Sequence, residues 1–192
     1  TGDASVLPGR GNGTFAPALG PLTTFRGVTR PVVGDVSGSK APDVVATSGD
    51  RVQVWTNAGG FDLGAPIDTR ANLHGADRIL AVGDWDRDGF ADVVVRQSVS
   101  GKLVLWRGDG HGHLARAGVL STGFGGVAKL AAVGDMTGDG YPDLIGQPRH
   151  GLLTIYPGRG LAGFKRAYPY GAIGRGTPIG IGLNGPGWYA PI

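Results

Sequence analysis

Apolar and polar positions alternate along this chain in short runs broken by turn residues, and the runs recur in a fixed order. In its middle part Arg78 to Val82 reads as a first strand and Val93-Val94-Val95 as a buried second one. A turn through Ser98 to Gly101 precedes a third run, Leu103 to Trp106. The Gly-rich segment Gly108 to Gly112 then leads to a weaker fourth run from Leu114. β-Branched residues fill the inner runs and turn formers separate them, which predicts four short antiparallel strands. The same order returns with Lys129 to Val133, Leu144-Ile145, Leu152 to Tyr156 and Phe164, and earlier with Pro31 to Val33, Val44 to Ala46, Val52 to Trp55 and Phe61. No segment sustains a 3.6-residue period, so helix content is expected to be near zero.

The repeat is anchored by Val33-Gly34-Asp35, Val82-Gly83-Asp84 and Val133-Gly134-Asp135, each followed eight positions later by another Asp, at Asp43, Asp92 and Asp143. A four-stranded unit at this period predicts an all-β chain, a β-propeller of four-stranded antiparallel blades. The repeats run over 28–77, 78–127 and 128–176. At the N-terminus Val6 to Phe15 aligns with the third and fourth runs of a repeat, and at the other end Ile179 to Gly182 and Tyr189 to Ile192 align with the first and second. The expectation is therefore one domain over 1–192, a four-bladed ring whose last blade joins 177–192 to 1–27 and so hides its sheet edges. The alternative is a fragment of a larger, seven-bladed propeller.

Composition narrows this reading. The 38 Gly and 13 Pro fall at repeated positions between apolar runs, as in a turn-rich β protein rather than a disordered one. With no Cys there are no disulfides, thiolate metal sites or Cys nucleophiles. No apolar stretch approaches bilayer length, so membrane insertion is not expected. The net charge of +3 is mild and the Arg residues are scattered singly, which argues against nucleic acid as a partner. The chain starts at Thr1 without Met or signal peptide and reads as a processed or excised piece of a longer product.

The candidate chemistry lies in the loop between the first and second strands. The middle copy offers oxygens from Asp84, Asp86, Asp88, the carbonyl of Phe90, and Asp92, with Gly89 bending the chain around a centre. Such a set suits a hard cation with flexible oxygen coordination, Ca2+ better than Mg2+. An EF-hand would need a Glu where Val95 stands, and flanking helices. The third copy offers Asp135, Thr137, Asp139, the Tyr141 carbonyl and Asp143; the first offers Asp35, Ser37, Ser39, the Ala41 carbonyl and Asp43. Affinity follows ligand charge, so occupancy is expected to fall from the middle to the third to the first copy. Leu183, Gly185, Gly187 and Pro191 in the last copy should hold no ion.

This Val-Gly-Asp-x-Asp-x-Asp-Gly-x-x-Asp pattern resembles the FG-GAP (VCBS-type) repeat of integrin α-subunit propellers, found also in secreted bacterial proteins and fungal lectins. The resemblance covers essentially the whole chain. It implies Ca2+-bound hairpins at one rim of a propeller, with ions that brace a blade rather than catalyse, and a secreted or cell-surface setting.

No catalytic constellation stands out, and an enzyme is not expected. His111-x-His113 lies in a Gly-rich turn and reads as solvent-exposed. The leading expectation is a binding module for glycans or cell-wall polymers, since a ring repeats a weak site and gains avidity. Trp55, Trp106 and Tyr156 recur at the end of the third strand. Exposed, they would stack on sugars; buried, they would fill gaps between blades. Trp85, Trp188 and Tyr189 are further aromatic candidates, and Arg107, His111 and Arg159 supply polar reach in the turn beyond. A protein-interaction or assembly scaffold of the integrin-head type is the alternative.

Overall fold

A computed structural model of the protein describes residues 3–60 and 63–169. Each repeat folds as its strand pattern predicts. The first blade is a meander of β3 (Thr29–Gly34), β4 (Asp43–Ser48), β5 (Arg51–Trp55) and β6 (Ile67–Asn72). The second comprises β7 (Ala76–Gly83), β8 (Asp92–Gln97), β9 (Leu103–Gly108) and β10 (Leu114–Ser121). The third comprises β11 (Val127–Ala132), β12 (Leu144–Pro148), β13 (Thr154–Tyr156) and a short β14 (Tyr168–Pro169). Ahead of them β1 (Ala4–Val6) and β2 (Leu19–Leu22) form a two-stranded antiparallel sheet. Helix among the described residues is limited to three 3-10 turns, at Thr23–Phe25, Phe124–Gly126 and Gly160–Ala162. The chain is an all-β propeller.

The two-residue period of a strand explains how the blades stack. In β8, Val93 and Val95 point to one side and pack with Val45, Val54 and Ile79. Val94 points to the other and packs with Leu105, Phe124 and Leu144. A strand covered on both faces needs no polar alternation, and so Val93-Val94-Val95 is a continuous apolar run, each fully buried. The first blade repeats the arrangement, with Ala46 and Trp55 turned toward Phe25, Ala4 and Leu22. The first strands β3, β7 and β11 lie side by side and line one cavity of about 350 Å³ through Val32, Val33, Ile79, Leu80 and Leu130. Blades therefore radiate from a common axis.

One polar clamp joins the second and third blades. The Arg96 guanidinium, with a side chain 7% exposed, donates from Nε to Asp77 Oδ1 at 2.9 Å and from Nη2 to Asp77 Oδ2 at 2.6 Å. Its Nη1 donates to the carbonyls of Phe124 and Val127 across the interface. A buried charge held in this way has its hydrogen-bonding capacity largely met.

Two expectations of register change. The turn after each third strand closes on a bridge six residues wide: Gly9 to Phe15, Asn57 to Leu63 and Gly158 to Phe164, with Gly108 opposite Leu114 in the second blade. Leu63, not Phe61, thus holds this place in the first blade. In the third, the third strand starts at Thr154 because Leu152 and Leu153 remain exposed. The segment 177–192 that should close the ring lies outside the described residues.

Candidate functional site: the acidic hairpin rim

The three loops joining first to second strands share one hydrogen-bond scheme, and it assigns each carboxylate a task. The first Asp of each loop accepts two backbone N–H groups from the far side of its own turn. Asp84 takes those of Asp88 and Gly89 at 3.0 Å each. Asp135 takes those of Asp139 and Gly140, at 3.0 and 2.8 Å, and Asp35 those of Ser39 and Lys40, at 3.0 and 2.9 Å. The fifth residue accepts the N–H of the seventh: Asp88 from Phe90, Asp139 from Tyr141, Ser39 from Ala41. This tight winding places the sixth residue in the left-handed region. Gly89 and Gly140 occupy it readily at φ 95 and 87, whereas the first loop puts Lys40 there at φ 67.

The ninth residue is different, because Asp43, Asp92 and Asp143 are completely buried. Asp92 Oδ2 accepts from Trp85 N at 2.9 Å and its Oδ1 from Gly108 N at 3.1 Å. Asp143 likewise joins Thr137 N, at 2.7 Å, to Gly158 N, at 3.0 Å. Asp43 joins Val36 N and Ser37 N to Asn57 N. Each carboxylate therefore ties its own loop to the end of the third strand. The close approach excludes a side chain at two of these points, since a Cβ on Gly108 or Gly158 would sit 2.1 or 2.0 Å from the carbonyl oxygen of Ala91 or Pro142.

Burying a carboxylate disfavours its ionised form. Burial pushes Asp92 up to about 7, against the pull of the Gly108 and Trp85 N–H groups, and the nearby Asp86 and Asp88 carboxylates push the same way. Burial raises Asp143 as well.

Oxygen donors converge in two of the three loops. Asp84, Asp86 and Asp88 bring carboxylate oxygens within 4.8 Å of one another, and so do Asp135, Asp139 and Asp143. In the middle loop the Asp86 side chain is 2% exposed, and its Oδ1 is buried with no hydrogen-bond partner among the described residues. Thr137 Oγ1 in the third loop is buried and unpartnered in the same way. An orphaned buried oxygen beside clustered carboxylates fits a hard cation, and both clusters could hold a divalent metal. In the first loop the hydroxyls turn inward instead, Ser37 Oγ to Asp43 and Ser39 Oγ to the Ala41 and Asn57 carbonyls.

Cationic side chains also serve these clusters. Arg107 Nε donates to Asp86 Oδ2 and lies 3.7 Å from Asp88, and that hydrogen bond to Asp86 holds the guanidinium pKa above its ordinary value. Lys165 Nζ donates to Asp139 Oδ2 at 2.8 Å. The Arg87 guanidinium lies over the Tyr141 ring, 4.7 Å from its centroid. Lys165 and Arg87 carry no signal in the motif itself; only the return of the fourth strand to the loop places Lys165 there.

The aromatic candidates pack between blades. Trp55 is 2% exposed, lies 5.0 Å from Phe25 and donates from Nε1 to Thr24 Oγ1. Trp106 packs against the cluster between the first two blades. Tyr156 packs with Phe124 and Phe164 between the second and third. Trp85 is fully buried and donates from Nε1 to the Gly160 carbonyl at 2.9 Å. Trp55 and Trp85 are thus closed off between blades, whereas Trp106 and Tyr156 pack between blades while remaining half-buried. Trp188 and Tyr189 lie outside the described residues. His111 and Arg159 are exposed in the turns, and His111 Nδ1 lies 2.8 Å from the Asp109 carbonyl. Among the described aromatic residues Phe15 and Phe90 reach solvent, 63% and 43% exposed; the Phe90 ring, beside the middle acidic loop, lies against Gly110.

Comparisons with known proteins agree with this construction. The family model described as FG-GAP-like repeat matches residues 35–95 and 84–146, together more than half of the chain. No curated protein matches. A solved structure of a lectin from Agrocybe aegerita, described by its specific recognition of non-reducing terminal N-acetylglucosamine, superposes with a TM-score of 0.54 at 20% identity. The superposition covers 88% of this chain and 47% of that one, so this chain spans about half of the lectin's length.

Because the first loop lacks the acidic cluster, it isolates the structural task of the ninth residue. Asp43→Ala strips a buried acceptor from Val36, Ser37 and Asn57, at roughly 1–3 kcal/mol for each orphaned donor. Urea unfolding should show a loss of about 3 kcal/mol or more, equal in calcium and in chelator.

Proposed function

The chain belongs to the FG-GAP-like repeat family, and on that footing we propose that it is a non-catalytic, Ca2+-stabilised module that binds glycans or cell-wall polymers. The single observation carrying the ion is the orphaned, buried Asp86 Oδ1 in a cluster with the Asp84 and Asp88 carboxylates. Asp84, Asp86, Asp88 and Asp92, with the Phe90 carbonyl, hold the tightest ion. Asp135, Thr137, Asp139, Asp143 and the Tyr141 carbonyl hold the next, and the serine-lined first loop holds the weakest or none. Ca2+ supplies positive charge where the fold concentrates buried negative charge. The millimolar Ca2+ found outside cells suits weak sites of this kind, which supports reading the module as part of a larger secreted protein.

The glycan reading is supported by the fold shared with the Agrocybe aegerita lectin, which recognises terminal N-acetylglucosamine. With Trp55 and Trp85 buried, the rim offers the exposed Phe90 ring, His111 in the adjoining turn and Arg159 in the equivalent turn of the third blade. A ring face flanked by polar turn residues suits the apolar face of a sugar and its hydroxyls.

The direct test is a glycan array that includes chitin-type oligosaccharides with terminal N-acetylglucosamine, in calcium buffer. Wild-type protein should be retained, and Phe90→Ala, whose side chain lies on the surface, should bind at least about tenfold more weakly with an unchanged circular dichroism spectrum. Failure of the folded, calcium-loaded protein to bind any glycan or peptidoglycan fragment would remove the reading.

A proton linkage tests the ion. Asp92 and Asp143 have folded-state pKa values raised by burial. Their contribution to stability is present below the unfolded carboxylate value near 3.8 and is lost as pH rises, toward about 7 for Asp92. A bound Ca2+ favours the ionised forms and opposes that loss. The melting temperature in calcium minus that in chelator should therefore grow from pH 4.5 to 7.5. A difference that is zero or constant across that range would contradict a proton-coupled ion at these loops.

A further inference from the structure

The basic residues that sequence spacing scatters singly are gathered by the fold at the end of the blades opposite the acidic loops. Arg78 lies near the start of β7, Arg96 near the end of β8 with Ser98 just after it, and Arg149 follows β12. Together they line a polar cleft of about 250 Å³ between the second and third blades. Arg78 also lines the adjoining depression with Arg30.

The acids at this end are already committed. Asp77 is bonded twice by Arg96, Asp50 lies 2.9 Å from His74 Nδ1, and Asp68 is paired with Arg51. Among the described residues the Arg78 side chain donates to the Asp77 carbonyl alone, at 2.9 Å. Among the described residues Arg149 has no ion pair and its side chain makes no hydrogen bond; Ser98 Oγ makes none either. The cleft thus presents two uncompensated guanidinium groups and a hydroxyl over a floor whose own charge is balanced.

We infer that this cleft between the second and third blades is a binding site for a compact oxyanion, a sulfate or carboxylate carried on an acidic polysaccharide, gripped by Arg78 and Arg149 with Ser98 Oγ as a neutral donor. Guanidinium groups present paired N–H donors that match two oxygens of such a group, and the resulting charge-assisted bonds are stronger than neutral ones. Arg96 stays on Asp77 and shapes the floor. The cleft volume admits one oxyanion and part of the ring that bears it. The polysaccharide carrier rests on the glycan reading above; the oxyanion site does not, and it lies at the opposite end of the blades from Phe90.

The test follows Arg Nε–H signals of the full chain in 1H–15N spectra during titration with sodium sulfate, against sodium chloride at equal ionic strength. Arg78 and Arg149 should shift saturably while the exposed Arg116 on β10 does not. The Arg78→Gln/Arg149→Gln double variant should weaken the sulfate affinity at least tenfold, read from any residual shifts of the Ser98 amide. It should also lose retention on dextran sulfate while keeping its melting temperature. Shifts linear in salt and shared with Arg116, or equal sulfate affinity in the double variant, would overturn the site. Competition by duplex DNA as strong as by dextran sulfate would overturn the polysaccharide carrier. Saturable sulfate binding by a protein that retains no neutral glycan would leave this site standing and remove only the rim reading.

Discussion

A carboxylate with no exposure to solvent, taking one backbone N–H from its own loop and another from the end of a neighbouring strand, is the interaction on which each blade depends. Asp43, Asp92 and Asp143 all do this. The geometry is demanding. The acceptor must be short, so that loop and strand end come close, and must offer two oxygens, so that it satisfies several donors at once. Asp meets both conditions. Its position immediately before the second strand lets one side chain fix where the first strand stops, where the second begins and where the third ends.

The cost of that arrangement explains the rest of the rim. A buried negative charge beside further carboxylates raises the energy of the ionised loop, as the upward displacement of Asp92 and Asp143 reports. Positive charge nearby relieves it. The protein supplies some from Arg107 and Lys165, and the orphaned oxygens of Asp86 and Thr137 mark where more fits. The first loop solves the same problem without it: serines replace two acids, and their hydroxyls donate inward. One fold scheme thus tolerates graded charge, and the chain uses that freedom from blade to blade.

Much of this was legible from residues alone, for a physical reason. The loops, the buried second strands and the third-strand ends are governed by local spacing, and local spacing repeats visibly at about fifty residues. What spacing does not encode is which side of a strand meets a neighbour. Trp55 and Tyr156 occupy equivalent places, yet whether their rings face solvent or another blade follows only from the stacking that buries them against Phe25 and Phe124. Phe61 and Leu63 are both apolar near one turn, and only the six-residue bridge chooses Leu63. Arg78 and Arg149 belong to different repeats and have no sequence relation; a radial arrangement alone makes them neighbours. The roles of the ninth Asp and of Gly108 are half visible, because the acidic motif names the Asp and the Gly-rich turn holds Gly108, but neither pattern names the bond between them.

Amide hydrogen exchange reads that bond most directly. If the buried carboxylate ties loop to strand, the N–H groups of Gly108 and Gly158 should exchange as slowly as those of the central strands at Val94 and Leu144, since release requires the blade to open. Exchange of Gly108 and Gly158 at the rate of the exposed amides in the neighbouring turns, while the central strands stay protected, would contradict the account.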